Sequence, residues 1–321
     1  MRLALVIAAV AVVAMALAAE AAPPQQQGIL DYGAQCSREI GEIPPFDCAS
    51  GTEIPVTVDG RRIGLDERPT RCDRPSLLYP RDDKVQQCLP GARILDLSRG
   101  ATQISAYCRK NDPSNTVAAR FDEVVIVLHH TGNGKTCWFA SKDPPDPKMG
   151  WDTSRVPPPD EKTPPAAKLA AVEFWQTPGI LAGKNPNCIQ CHDAGPFIMS
   201  PFIAQVWDKV PTDPWGKYSS IGPAFQMERL KTMSTPGNTC VGCHRIGTKQ
   251  TCEVFLGLSA GGHAPGNGPL ADRFPLSHWM PTDTNLSEAQ WKAAHHDSID
   301  ALQACCRDRT TPGCTFTPMP R

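Results

Sequence analysis

The chain has 321 residues with 32 Lys and Arg against 33 Asp and Glu, a length that suits about two domains. The balanced charge, with no basic run, excludes a phosphate-gripping surface and so nucleic acid as a partner. Fourteen cysteines, 33 prolines and 25 glycines point away from a reducing cytosol and toward disulfides, turns and extended connections.

Residues 2–22 place one arginine before an apolar run and then small residues, with cleavage sites after Ala18 or Ala21. This predicts a signal peptide over residues 1–21. No later stretch is long enough to cross a bilayer, so no stable membrane insertion is expected after cleavage. From residue 22 to 141 short strands alternate with turn residues. EIPVTVDGRRI, Glu53 to Ile63, sets Asp59-Gly60 between two extended runs. FDEVVIVLHHTGNGKTCWFAS sets a β-branched run, Val124 to Leu128, against a return strand through Cys137, Trp138 and Phe139, with the turn at Thr131 to Gly134. Both are hairpin patterns. This half reads as a small, disulfide-stapled all-β domain. Within it HHTGNGKT only brushes the phosphate-loop pattern, which fails at His129.

Eight prolines between residues 142 and 167 predict a semi-rigid linker. Beyond it the pattern turns helical: Lys168 to Trp175 is a candidate helix, and Ser200-Pro201 is a helix start. Ser287 and Gln290 form a capping box for a closing helix. Ser287 also ends a sequon with Asn285 and Leu286, a poor glycosylation signal beside its capping role. The fold class expected is α+β: the β domain, then a mainly α-helical, loop-rich domain over residues 168–321.

Two strings carry the chemistry: CIQCH, Cys188 to His192, and CVGCH, Cys240 to His244. Two thiols separated by two residues each add to one vinyl group of a haem, and the histidine that follows is placed as the proximal iron ligand. A zinc site built from both Cys-x-x-Cys pairs is the competing reading, but the gap between the pairs exceeds the usual zinc-ribbon spacing. The other ten cysteines, Cys36, Cys48, Cys72, Cys88, Cys108 and Cys137 before the motifs and Cys252, Cys305, Cys306 and Cys314 after them, are even in number and can pair within each region.

At these residues the chain resembles the exported bacterial diheme c-type cytochromes. The resemblance covers about residues 168–306 and includes His278-Trp279-Met280-Pro281, which looks like the distal methionine segment of those domains. It implies two haem c groups, electron transfer, a periplasmic or extracellular site, and redox proteins as partners. For the sixth ligands Met280 or His278 are candidates at the second haem, and Met199 or His263 at the first, with His278 an alternative there too. Core packing is the alternative for the methionines, and an open position stays an alternative at the first iron. Trp207, Trp215, Trp279 and Trp291 are expected to wall the haem pockets, while His295 and His296 read as polar residues of an exposed helix face. An electron carrier catalyses no bond chemistry. The open alternatives are a peroxidase-like haem enzyme with one free iron site, and a binding module with a haem relay.

Overall fold

The computed structural model describes residues 27–76, 86–225, 227, 230–259 and 286–321. The expected signal peptide, His263, His278, Trp279 and Met280 lie outside the described residues.

A helix, α1 (Ile29–Glu39), opens the described chain. Its inward stripe is Ile29, Tyr32, Gly33 and Cys36, the three-and-four spacing of a helix lying on a core. The expected hairpin follows as β1 (Thr52–Glu53), β2 (Thr57–Val58) and β3 (Arg61–Arg62), the last two paired antiparallel. Asp59 and Gly60 both take positive φ, 49° and 78°, as a two-residue hairpin turn of matching twist requires.

The centre of the molecule is a six-stranded sheet. In it β1 pairs with β4 (Arg93–Asp96), then come β5 (Thr102–Arg109), β7 (Glu123–His130) and β8 (Lys135–Ala140). The short β6 (Arg120–Phe121) pairs apart from it with β9 (Trp151–Asp152). The sixth strand, β10 (Ser219–Ser220), comes from the distant second half of the chain and lies parallel to β8. One face of the sheet shows Ile104, Ala106, Cys108, Val124, Ile126, Leu128, Cys137 and Phe139, all at most 1% exposed. Two disulfides, Cys36–Cys137 and Cys48–Cys108, fasten α1 and the turn at Cys48 to this face. The other face is mixed: Gln103, Ser105, Val127, His129, Thr136 and Trp138 point the same way by register.

Residues 142–167 lie against this core, with Trp151 and Val156 buried and Trp151 Nε1 donating to the Lys142 carbonyl at 2.8 Å. After them come single turns: α2 (Ala171–Phe174), α3 (Pro178–Gly183) and α4 (Cys188–Cys191). The Ser200-Pro201 start leads into a 3₁₀ stretch, Ile203–Lys209, broken at Val206. Further on, β11 (Lys231–Ser234) pairs with β12 (Thr315–Pro318) around α5 (Leu256–Ser259) and α6 (Glu288–Arg307). Trp291, Ile299, Leu302 and Cys305 of α6 meet Met233, Ile246 and Leu256 in a second core.

The expected fold class is therefore corrected. The first half opens on a helix, and residues 168–321 do not make a mainly α-helical diheme domain. Prolines at short intervals stop each helix after one or two turns, and strand segments from this half complete or extend sheet structure. Among the described residues of this half only α6, begun by the Ser287 and Gln290 capping box, runs long. The molecule is sheet-rich and stapled by five disulfides, the remaining three being Cys72–Cys88, Cys252–Cys306 and Cys305–Cys314. All ten cysteines outside the motifs are used, each within its own region. Such a set suits an oxidising compartment, and no described helix is long and apolar enough to cross a membrane.

Beside the hairpin, the buried Asp73 carboxylate accepts from Thr57 Oγ1 at 2.6 Å and from the Asp59 and Gly60 amides at 2.9 Å. Burial raises its pKa, but these bonds outweigh burial and hold it below the ordinary carboxylate range. A carboxyl depressed in the folded state adds stability above its unfolded pKa of about 4 and loses it as the pH falls through the folded value. Asp73→Asn should therefore cost about 2 kcal/mol at neutral pH. The difference from the wild type should shrink on acidification in urea unfolding, and a pH-independent difference would disprove this account.

Candidate functional site

The first motif is shaped by a capping box. Asn187 Oδ1 accepts from the Gln190 amide at 3.1 Å and Gln190 Oε1 accepts from the Asn187 amide at 2.7 Å, which satisfies the open N–H groups of the α4 turn. His192 continues that turn, its amide donating to the Cys188 carbonyl at 2.8 Å. The His192 ring packs on Trp138 at 4.5 Å between centroids, and Nδ1–H donates to the Pro196 carbonyl at 2.8 Å. A carbonyl only accepts, so the proton sits on Nδ1 and the lone pair on Nε2. Burial pushes the His192 pKa down to about 4, against the opposing pull of Pro196, so the imidazole is neutral at pH 7. A metal-ligating histidine needs this state and this second hydrogen bond.

The second motif is docked on α6. The Cys240 amide donates to Asn238 Oδ1 at 3.0 Å, and Asn238 Nδ2 donates to the Ser298 carbonyl at 2.8 Å. The Thr239 amide donates to Ser298 Oγ at 3.0 Å, and Thr239 Oγ1 lies 3.0 Å from His295 Nδ1. His244 repeats the pattern of His192, with Nδ1–H on the Arg245 carbonyl at 3.0 Å. It differs in access: Cys243 and His244 are exposed, while Cys188, Cys191 and His192 are half-buried. Burial pushes both first-motif thiols up to about 12, helped by Cys191 at Cys188 and by Asp193 at Cys191. Cys240 moves the same way for the same reason.

Asp193 joins the two motifs. It is 1% exposed, and its carboxylate takes the Lys249 amide at 2.5 Å, the Thr251 amide at 3.3 Å and Thr251 Oγ1 at 2.6 Å. Burial pushes its pKa up to about 6 even though these bonds pull it down. Thus the residue after the first motif holds the segment just beyond the second.

Around this junction lie buried polar atoms without a hydrogen-bond partner among the described residues. Four of the six in the described chain, Gln103 Oε1, His129 Nε2, Trp138 Nε1 and Arg245 Nη2, gather on the mixed sheet face and the loop behind His244. Arg245 donates through Nε to the Pro214 carbonyl at 2.9 Å. Burial lowers its pKa, with Asp213 opposing.

The fourteen cysteines divide cleanly, since the only free thiols are Cys188, Cys191, Cys240 and Cys243. Met199 is half-buried against the cluster of Phe202, Ile203 and Val206. Trp291 is buried in the α6 core and stacks on His295 at 5.6 Å. Trp207 and Trp215, expected to wall haem pockets, are 60% and 55% exposed. His296 pairs with Asp300 on the exposed side of α6 at 3.2 Å, while His295 serves the second motif through Thr239. Asp193, Trp138, His129 and Arg245 escape a sequence reading. The one local signal is that Asp193 and Arg245 each directly follow a motif histidine.

No family model, curated protein or solved structure matches the chain. Among the described residues no group of three or more His, Cys, Asp or Glu is gathered to hold a metal ion. With a sheet-rich, five-disulfide fold in place of a helical haem-binding one, these findings overturn the assignment to the diheme c-type cytochromes. The two motifs have to be interpreted by their own chemistry.

Gly247 lies against Asp193, where a Cβ would overlap the carboxylate. Gly247→Ala should expel the carboxylate, and Asp193→Ala should remove it. Each should cost on the order of 2–3 kcal/mol, the scale of lost charged hydrogen bonds. Both should speed hydrogen exchange at the Lys249 and Thr251 amides, and unchanged exchange would show that Asp193 does not hold this segment.

Proposed function

We propose that the chain carries two covalently attached haem c groups, one on Cys188, Cys191 and His192 and one on Cys240, Cys243 and His244, and transfers electrons in the periplasm or extracellular space. The observation that carries this reading is the sorting of the cysteines. Ten are in disulfides, and the four left unpaired stand two residues apart, twice, each pair directly before a histidine. The tautomers support it, for both histidines place Nδ1–H on a backbone carbonyl and keep Nε2 for a ligand.

Each cysteine thiol adds across one haem vinyl group: sulfur bonds one vinyl carbon and the thiol hydrogen passes to the other. Nothing is oxidised, but the thiols must be reduced, which unpaired cysteines satisfy. The haem iron supplies one-electron exchange between its ferric and ferrous states. The protein's share is to orient His192 through Pro196 and Trp138, to orient His244 through Arg245, and to limit water around the first motif. Zinc would require thiols from both pairs around one ion, whereas these pairs are docked separately, on the sheet and on α6. The exposure of Cys243 and His244 leaves the second site within reach of a redox partner protein.

Produced with a working haem-attachment system, the protein should show two haems per chain by haem stain and pyridine haemochrome. Cys188→Ala/Cys191→Ala and Cys240→Ala/Cys243→Ala should each show one. Absence of covalent haem from folded wild-type protein would overturn the reading.

A further inference from the structure

His129, near the end of β7, is fully buried at 0% exposure. Its Nδ1 lies 2.8 Å from Thr136 Oγ1, the side chain opposite it on β8, and that hydroxyl donates onward to the Gly134 carbonyl at 3.4 Å. Either the imidazole or the hydroxyl supplies the proton of the 2.8 Å bond, and in both cases Thr136 fixes the orientation of the ring. Nε2 is buried and has no partner among the described residues. An unpartnered buried nitrogen is costly, and with the ring protonated on Nδ1 it offers its lone pair to a Lewis acid.

Its surroundings identify which Lewis acid. Trp138, on which His192 packs, shares the sheet face with His129, because Val127 pairs with Trp138 and His129 with Thr136. Phe197, five positions after His192, meets the His129 ring edge-on at 6.2 Å. Thus the face of the sheet that carries the first motif also carries a second oriented imidazole. We propose that His129 is the sixth ligand of the first haem iron, opposite His192. This rests on the haem reading above and makes that site bis-imidazole and closed to small ligands. The partner of His129, Thr136, is then a positioning residue, as the Pro196 carbonyl is for His192.

The test uses the full-length, haem-loaded protein. The wild type should show a low-spin bis-imidazole signature by electron paramagnetic resonance. His129→Ala should keep two haems per chain by stain, convert one to high spin, and bind one more carbon monoxide per chain than the wild type. Added imidazole should restore the low-spin spectrum. His129→Met, which keeps a ligand of similar bulk, should stay low-spin and raise the potential of one haem, and it stands in if the alanine variant does not fold. Two retained haems with unchanged spin state, carbon monoxide stoichiometry and potential in the folded variants would overturn the role of His129 and leave haem attachment standing. A wild type without covalent haem would remove both.

Discussion

Side-chain alternation along β8 is the constraint on which the molecule turns. A strand presents successive residues to opposite faces, so Cys137 and Phe139 go one way while Thr136 and Trp138 go the other. The first pair binds the sheet to α1, covalently through Cys36 and by contact with Tyr32 at 5.3 Å. The second pair supports the motif side, Trp138 under His192 and Thr136 under His129. A register slip of one residue would exchange these roles. The Cys36–Cys137 bond, closing 101 positions of sequence, works against such a slip and limits the unfolded ensemble. The Tyr32 hydroxyl, which accepts from the Trp138 amide at 3.0 Å, adds a second tie from α1 to the same strand.

The two faces differ in chemistry as well as in partners. The α1 side is apolar and closed by disulfides. The motif side buries polar atoms that the described residues leave unmatched, and it does so beside His192. Buried polar groups are normally paired, and this gathering is one of the supports for the bound group proposed above. Asp193 shows the contrast within the same region: it is equally buried, yet its carboxylate is supplied with three donors, all from the chain segment it holds.

Local chemistry made part of this legible. Asp59-Gly60 marks its hairpin, the β-branched run marks β7, and Ser287 with Gln290 starts α6 where expected. The helical reading of residues 168–221 failed because good caps at Thr177, Asn187 and Ser200 are followed by prolines or breaks before a second or third turn can form. Caps signal where helices begin and say little of their length. Ser219 and Ser220 bear no strand pattern, and they join the sheet only because β8 offers an open edge far back in sequence. His129 and Trp138 were hidden for a related reason. When both faces of a strand are buried the period-two pattern disappears, and nothing in VVIVLHH tells which face will meet a motif some sixty residues on.

Burial also bears on how the four motif thiols remain unpaired in a chain otherwise fully oxidised. Thiolate is the species that attacks a disulfide, and a thiol pushed up to about 12 is ionised to roughly one part in 10⁵ at pH 7. Once the fold forms, Cys188 and Cys191 are thereby slowed toward the exchange that joined the other ten. Cys240 shares this protection through the α6 core. Cys243 is exposed. The two motifs thus share one pattern but differ in solvent access: the first is sheltered by the sheet, and the second has its outer thiol and histidine open to water.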